Sequence, residues 1–316
     1  MHVFLTIDVE TYTGDYEADV WAQGLGLAYL VETLARTGFQ ATFFVEALGA
    51  RRWGPAGVTR IGTFLRDRGQ EVQLHLHPVI AEAWGLPKRY DRLWAYDRQT
   101  QSELIAESRR LLAACAGEAP CAFRAGDLAA NADTLLAMID NGLRLGSNRD
   151  LDTRASIESR LNEGWTVPND LACCQGVIDV PVSCFRSPFP RLDGRYRHLQ
   201  ITAVGAGETR VVLRGMARAG YRSAAILAHP GEFFERTASG PVPNVKNCSR
   251  WESLLCFLKE SGWPVRGLRE AGTLDGGERP ALPVVRGSVV HAAVRVVQQA
   301  RWRLKQRLAR RGDRSS

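Results

Sequence analysis

The stretch MHVFLTIDVE at residues 1–10 decides the fold of this chain. Its short apolar run reaches two acidic residues, Asp8 and Glu10, which is typical of a buried parallel strand that ends in polar groups. Because side chains two apart on a strand point to the same side, Asp8 and Glu10 would face one edge of the sheet together. The stretch has no basic region and no small-residue cleavage site. We therefore expect a first strand rather than a secretory signal, and a cytoplasmic protein.

Short apolar runs alternate with helical periods from this first strand onward. A strand–helix rhythm repeated seven or eight times predicts an α/β protein with a parallel barrel or a doubly wound sheet. The stretch 150–200 is rich in Pro, Arg and Cys, and we expect loops there. The candidate strands are 3–9, 41–45, 71–76, 121–124, 143–146, 177–180, 223–228 and 264–267, and the candidate helices are 20–37, 58–68, 99–116, 132–141, 208–219 and 249–261.

The composition is that of an ordinary globular protein. The 316 residues are 45% hydrophobic and 24% charged, which excludes the disordered, collagen-like and coiled-coil classes. No apolar run reaches the ~18 residues that a transmembrane helix needs. The seven cysteines include no C-x-x-C pair, which favours reduced thiols over a disulfide framework or a thiolate zinc site. We expect three parts, namely a barrel at residues 1–275, a linker at 276–285 and a tail at 286–316.

The positive charge is concentrated in the tail. The whole chain carries a net charge of +7, yet residues 286–316 alone hold nine Lys or Arg against the single acid Asp313. The body is therefore close to neutral and lacks the basic stripe of a nucleic-acid-binding domain, so no nucleic-acid partner is expected. As a helix over 288–311, the tail would align apolar residues on one face, with arginines beside them. Those residues are Val290, Ala293, Val294, Val297, Leu304 and Leu308.

A basic amphipathic helix of this kind is typical of peripheral contact with a membrane surface. It would place the protein in the cytoplasm or against the inner membrane. The alternatives are a helix packed on its own barrel or on a partner, and a solvated, frayed terminus.

Polar side chains end several of the predicted strands. The carboxyl ends of the strands of a parallel barrel meet at one mouth, so we expect these residues to converge there. Two imidazoles and one carboxylate can hold a divalent ion with an open position for water, as in catalytic zinc sites. Each residue alone would more often be a satisfied hydrogen-bonding group, and only their convergence indicates a functional site. The residues are Asp8 with Glu10, His75 with His77, Arg124, and His229.

Five segments of the chain resemble, in order and spacing, the NodB-homology polysaccharide deacetylases of the carbohydrate esterase family 4 type. They span most of residues 1–235. The resemblance implies a distorted parallel barrel of seven or eight β/α units and the hydrolytic removal of an acyl group from a sugar. The segments are TIDVE (6–10), GFQATFFVEALG (38–49), GQEVQLHLHP (69–78), FRAGD (123–127) and ILAHP (226–230).

The resemblance also implies roles for single residues. Asp8 matches the catalytic base and Arg124 the arginine that orients it. His229 matches the general acid, and His75 matches the first metal-binding histidine. The implied cofactor is one divalent metal ion, with zinc expected and cobalt, nickel, manganese or iron as alternatives.

Two departures mark a divergent branch. The family pattern has two adjacent aspartates in its first motif, whereas here Val9 separates Asp8 from Glu10, which makes Glu10 the candidate carboxylate ligand. The family's two metal histidines are four residues apart. Here His77 follows His75 by two, and Val79 stands where the second histidine would fall.

Further residues are candidates for binding the substrate. The aromatic residues Trp84, Tyr90 and Trp94 follow His77 and could stack on a sugar face, or could pack over the barrel rim. Backbone N–H groups near Ala125 and Gly126 would stabilise an oxyanion, and Asp127 is a second polar candidate there. The carboxylate that would polarise His229 could come from Asp150, Asp152 or Asp179.

These observations predict a carbohydrate deacetylase, a hydrolase of linear amide C–N bonds. It would remove an acetyl or formyl group from an N-acylated sugar, a nucleotide sugar or a lipid-linked glycan. The expected pathway is surface-polysaccharide or lipopolysaccharide (O-antigen) synthesis on the cytoplasmic side or at the inner leaflet. The alternatives are a metal-free hydrolase of a small amide and a catalytically degenerate barrel that binds glycan.

Overall fold

The computed structural model describes residues 1–84, 91–151, 159–161, 169–274 and 280–297. Eight strands form one curled, mostly parallel sheet in the order β10-β1-β2-β3-β4-β5-β7-β6, and β11–β12 and β8–β9 are two-stranded hairpins. The strands are β1 His2–Val9, β2 Thr42–Glu46, β3 Glu71–Leu76, β4 Ala122–Ala125, β5 Leu145–Gly146, β6 Ala172–Cys174, β7 Val177–Asp179, β8 Cys184–Arg186, β9 Tyr196–His198, β10 Ser223–Ala228, β11 Phe234–Thr237 and β12 Gly240–Pro243.

Helices cover the outer face of this sheet and connect its parallel strands. Several end at a glycine in the left-handed conformation, as α1 does at Gly38 with φ of 73°. No helix in the described part of the chain is both long and apolar enough to cross a membrane. The helices are α1 Leu27–Thr37, α2 Gly49–Arg52, α3 Ala56–Arg66, α4 Arg98–Ala116, α5 Ala132–Asp140, α6 Pro190–Asp193, α7 Ala206–Arg218 and α8 Val245–Ser261. Residues 289–297 form a further helical segment, called the C-terminal helix below.

The two faces of β1 bury different kinds of residue. Val3, Leu5 and Ile7 join the large core that the sheet shares with the helices. Phe4 belongs instead to a smaller apolar cluster on the other face of the sheet, inside the curl. Because side chains alternate along a strand, Thr6 and Asp8 follow Phe4 on that inner face. The inside of the curl therefore changes from apolar to polar towards the carboxyl ends of the strands.

The sheet curls far enough to bring its two sides together. Beyond β7, Val182 bridges to Ala225 of β10, and Gln200 bridges to Leu227 of the same strand. The strand β6 departs from the parallel pattern, since it pairs with β7 in the antiparallel sense. This architecture confirms the predicted α/β fold with a distorted, barrel-like parallel sheet.

Two predictions about local structure are wrong. The candidate strand 264–267 forms only a single bridge, between Val265 and Val3. The expected loops at 150–200 contain the short strands β6 to β9 instead. The candidate strand 177–180 is confirmed as β7, but β6, β8 and β9 have three residues each and are too short to show a hydrophobic period, so the sequence pattern misses them. The predicted boundaries of barrel, linker and tail stay a prediction.

Candidate metal and catalytic site

One carboxylate and two imidazoles meet at the carboxyl ends of β1 and β3. The Oε2 atom of Glu10 lies 3.0 Å from Nε2 of His75 and 2.6 Å from Nε2 of His77. Both histidines are buried. Their ligand atoms and that of Glu10 all lie within 4.8 Å of one another, so the three can share one metal ion. The structure thus brings together the three residues that the sequence proposes as ligands.

Contacts at the Nδ1 atom of each imidazole orient the ring so that its Nε2 atom faces Glu10. The Nδ1–H of His75 donates to the backbone carbonyl of Arg124 at 2.9 Å. The Nδ1 atom of His77 lies 2.6 Å from Oδ2 of Asp91. A carbonyl or carboxylate acceptor on the second ring nitrogen is the usual support for a metal-binding histidine. The donor set and its support fit a divalent ion held by Glu10, His75 and His77.

The charges of the group also favour a cation between the carboxylates. Burial alone would lower the pKa of His77, but the carboxylates of Glu10 and Asp91 outweigh it and raise that pKa well above its usual value. Burial alone would raise the pKa of Glu10, but His77 and His75 outweigh it and hold that pKa well below the usual range. The His77 ring fills the place between Glu10 and Asp91, and the two carboxylates favour a positive charge on it. Its Nε2 atom must lose a proton before it can bind a metal ion.

The His77 ring packs so closely against position 126 that only glycine fits there. A Cβ atom on Gly126 would lie 2.4 Å from Cε1 and Nδ1 of that ring, which no side chain can tolerate. The neighbouring Ala125 N–H donates to Oδ1 of Asn148 at 2.8 Å. This N–H is therefore already used, so Gly126 is the backbone candidate that remains, and stabilisation of an oxyanion there stays a prediction.

Asp8 and Arg124 form a buried ion pair beside the ligand group. Nη1 of Arg124 donates to Oδ1 of Asp8 at 2.7 Å. The guanidinium is fully buried, and it also donates to Oγ1 of Thr6 at 3.0 Å and to the backbone carbonyl of Ser147 at 3.0 Å. These contacts fix the carboxylate of Asp8 with its second oxygen facing the pocket.

That second oxygen faces His229. Oδ2 of Asp8 lies 3.9 Å from Nε2 of His229, while Nδ1 of His229 lies 2.9 Å from Oε1 of Glu232. Burial alone would lower the pKa of His229, but the hydrogen bond and the charge of Glu232, helped by Asp8 and Glu10, raise it to about 9. His229 therefore carries a proton at neutral pH.

The carboxylate partner of His229 differs from the expected ones. Asp179 forms its ion pair with Arg149 instead, and Asp150 faces His198. Asp152 lies outside the described residues. The partner is Glu232, which the short 3-10 turn Pro230–Glu232 places one turn after His229.

These residues line one small pocket of about 210 Å³. This is below the ~300 Å³ at which pockets for larger ligands begin. The sequence analysis did not include two of its polar residues, His198 and Gln200, which come from β9 and the segment just after it. No sequence signal marks them, since they reach the pocket through the isolated bridge between Gln200 and Leu227. The lining residues are Asp8, Glu10, His75, His77, Asp127, Leu128, His198, Gln200, Leu227 and His229.

A strained turn forms part of the pocket wall. Asp127 and Leu128 both have positive φ, 52° and 56°, a conformation that side-chain-bearing residues rarely adopt. Nη1 of Arg92 holds the carboxylate of Asp127 at 2.8 Å. Strain of this kind concentrates at functional sites, where surrounding contacts enforce it. Asp127 is thus placed at the pocket, as a substrate-binding role requires.

None of the three candidate aromatic residues is among those that line the pocket in the described part of the chain. The guanidinium of Arg160 stacks on the Trp94 ring, with 3.2 Å between Cζ and the centroid of the ring. Trp94 is not among the residues that line the pocket. Trp84 ends the 3-10 segment Pro78–Trp84. Tyr90 lies outside the described residues. A sugar-stacking role for these three stays a prediction.

Comparisons with known proteins bear on the fold. No family model matches the chain, and no curated protein matches it by sequence. Among solved structures, a Mycobacterium smegmatis protein assigned provisionally as a polysaccharide deacetylase matches with 16% identity and a TM-score of 0.56. The match covers 91% of this chain and 94% of that chain. The two proteins therefore share their fold.

Two further structures match more weakly. A carbohydrate esterase family 4 pseudoenzyme from Bacillus anthracis is 15% identical with a TM-score of 0.46, over 90% of this chain and 69% of that one. A family 4 carbohydrate esterase from Streptomyces lividans, solved with acetate, is 14% identical with a TM-score of 0.44, over 86% of this chain and 94% of that one.

Proposed function

We propose that this protein is a metal-dependent hydrolase that removes an N-acyl group from a sugar. One observation carries the proposal, namely that a base, an acid and a complete ligand group line a single pocket. Asp8 and His229 approach to 3.9 Å there, beside Glu10, His75 and His77. A binding module would have no use for a carboxylate held by a buried arginine opposite a protonated imidazole. The shared fold with the Mycobacterium smegmatis protein supports a deacetylase over other hydrolases.

Glu10, His75 and His77 would hold the metal ion, with zinc as the expected one. A divalent ion bound there would supply a Lewis acid that lowers the pKa of a coordinated water and polarises the acyl carbonyl. Three protein ligands leave the open coordination position that catalytic sites need.

Asp8 would act as the general base. Arg124 fixes its position by donating to Oδ1, and the guanidinium is itself held by its hydrogen bond to Thr6. The free Oδ2 atom faces the pocket, where it can accept a proton from the attacking water. The buried guanidinium keeps the carboxylate in one orientation, which preserves the geometry that proton transfer needs.

His229 would act as the general acid. Glu232 holds Nδ1 and keeps the ring protonated, so the Nε2–H points towards Asp8 and the pocket. When the tetrahedral adduct collapses, the C–N bond breaks and this proton passes to the leaving amine. The products are a free carboxylate and an amino sugar.

The substrate that we propose is an N-acetylated or N-formylated sugar, as a nucleotide sugar or a lipid-linked glycan. The small polar pocket suits an acyl group and the ring that carries it better than an extended polymer. Asp127, held by Arg92, stands ready to accept hydrogen bonds from sugar hydroxyls. The proposed pathway is the synthesis of surface polysaccharide or lipopolysaccharide, in the cytoplasm or at the inner leaflet.

The test uses the full chain without a histidine tag, loaded separately with Zn²⁺, Co²⁺, Ni²⁺, Mn²⁺ or Fe²⁺. Release of acetate or formate is measured on a panel of N-acylated nucleotide sugars and lipid-linked amino sugars. We expect release that stops on chelation and returns with metal. A chain that binds one metal ion and also binds glycan, but releases no acid from any member of the panel, would contradict the proposal and favour a glycan-binding role.

A further inference from the structure

The segment after the barrel runs along α7 towards the mouth of the pocket. Oη of Tyr221, just beyond the end of α7, donates to the carbonyl of Pro283 at 3.3 Å. Further on, Val285 packs in the space beside Gly215, and Gly287 lies against Phe185 and Glu208 near the start of the helix. The segment therefore follows α7 from its last residues to its first.

The C-terminal helix, residues 289–297, is then fixed to the start of α7. Arg295 is buried and forms an ion pair with Glu208, and Ala292 is fully buried. The His291 ring occupies the space where a Cβ atom on Gly207 would lie. One face of the C-terminal helix is thus attached to the barrel through a small residue, an imidazole and a buried ion pair.

The opposite face of this helix is apolar and exposed. Val290, Val294 and Val297 are 71%, 53% and 50% exposed and follow each other at spacings of four and three residues. We call these three residues the valine ridge. An amphipathic helix that packs on its own barrel buries its apolar face. Here the apolar face points outward, so the barrel is not what the valine ridge contacts.

The valine ridge lies at the end of the barrel where the pocket opens. The helix α7 starts six residues after Gln200, which lines the pocket and bridges to Leu227 near the end of β10. His229 follows directly on that strand. Because the C-terminal helix is attached to the first turn of α7, it lies at the mouth end of the barrel, with the valine ridge on the side away from α7.

We propose that the valine ridge docks on the surface of an anionic lipid bilayer. Exposed apolar side chains on a helix with many cationic neighbours insert at the boundary between headgroups and acyl chains. The sequence that follows the valine ridge directly supplies a complementary charge, since residues 298–316 hold seven Lys or Arg and one acidic residue. Basic residues next to a membrane strengthen binding to anionic lipids. A second copy of the chain is disfavoured as occupant, because a symmetric contact would bring two such tails together.

Docking at this end of the barrel would bring the mouth of the pocket close to the bilayer surface. Together with the proposed function, on which this step rests, it favours a substrate attached to lipid over one free in solution. The docking itself does not depend on catalysis, so it is tested without any turnover.

The experiment is co-sedimentation of the full chain with vesicles of phosphatidylcholine alone or mixed with phosphatidylglycerol, at physiological salt. The test variant is Val290→Gln with Val294→Gln, and the matched control is Val245→Gln, an equally exposed valine at the start of α8. We expect binding to the anionic vesicles only, at least about fivefold weaker for the double variant and unchanged for the control. Equal thermal unfolding of the three proteins shows that the substitutions leave the fold intact.

Three results would overturn the proposal. The first is no binding of the unmodified chain to anionic vesicles. The second is binding that the double variant leaves unchanged, because the basic residues alone would then account for it. The third is a concentration-dependent dimer, measured by sedimentation equilibrium without lipid, that the double variant abolishes, because the valine ridge would then bind a second copy.

Discussion

Nε2 of His229 lies 3.9 Å from Oδ2 of Asp8, although 221 positions of the sequence separate the two residues. The contact arises because β1 and β10 are neighbours in the sheet and run parallel, with Ile7 opposite Ala228. The residues that directly follow this pair in each strand therefore meet at the mouth. A space between two such groups, one accepting and one donating a proton, is where an acyl carbonyl can be attacked and its leaving group protonated.

Replacing either group should abolish most of the activity. We expect Asp8→Asn and His229→Ala each to lower kcat at least ~100-fold, the usual size of a lost general base or acid. Metal content should stay near that of the unmodified chain in both variants, since neither residue belongs to the ligand group. Steady-state kinetics of acetate or formate release check this. Near-normal rates in either variant would overturn the role assigned to that residue.

The charge of Glu232 should set the basic limb of the pH profile. The pKa of His229 is raised to about 9, and a general acid is active only below its pKa. Glu232→Gln removes the carboxylate that raises this pKa, so the alkaline limb of kcat/KM should move to lower pH by at least about one unit. A bound metal ion would shift the pKa of His229 equally in the unmodified chain and in Glu232→Gln. The quantity to measure is therefore the difference between the pH profiles of these two proteins. An unmoved limb would mean that His229 is not the group that limits activity at high pH.

The ligand group should hold one metal ion per chain. Elemental analysis of protein purified without chelator should find about one divalent ion, which His75→Ala loses. His2→Ala is the matched control, because His2 lies at the opposite end of the barrel on β1. Metal that persists in His75→Ala, or that disappears equally in His2→Ala, would place the site elsewhere.

Asp91 should tune metal affinity through His77. Its carboxylate lies 2.6 Å from Nδ1 of that ring, and outer partners of this kind are worth about 10–100-fold in affinity. We therefore expect Asp91→Asn to weaken zinc binding by that factor in a competition titration with a chelating dye. Asp127→Asn is the control, since Asp127 lines the same pocket but pairs with Arg92. Equal zinc affinities of Asp91→Asn and Asp127→Asn would contradict the role of Asp91 in supporting His77.

The sequence predicts the central part of this site because its residues end long strands. Asp8, His75 and Arg124 each follow a buried apolar residue near the end of a parallel strand, and the register that places His75 opposite Arg124 is seen only in the structure. Glu232 could not be predicted in the same way. It lies in a turn after β10, where an acidic residue is typical of the surface, and only the turn geometry brings it to His229.

Which face of the C-terminal helix packs on the barrel could not be predicted either. Of the predicted helix 288–311, residues 289–297 are helical, while residues 298–311, with Leu304 and Leu308, lie outside the described residues. Which face the barrel binds depends on Glu208, a buried acid on α7 whose partner is Arg295. A periodic pattern gives the faces of a helix but does not reveal a single buried ion pair between two distant elements.

The buried pair of Arg124 and Asp8 should be costly to break. Replacement of one partner leaves the other buried and unpaired, which typically costs about 3–5 kcal/mol. We therefore expect Arg124→Met to lower the free energy of unfolding by that amount, because Asp8, Thr6 and Ser147 all lose their donor. Adding Asp8→Asn to Arg124→Met should restore part of the loss, since the double variant no longer buries an unpaired charge. Urea unfolding of both single variants and the double variant measures this coupling. Strictly additive losses would show that the pair orients Asp8 without contributing to stability as a unit.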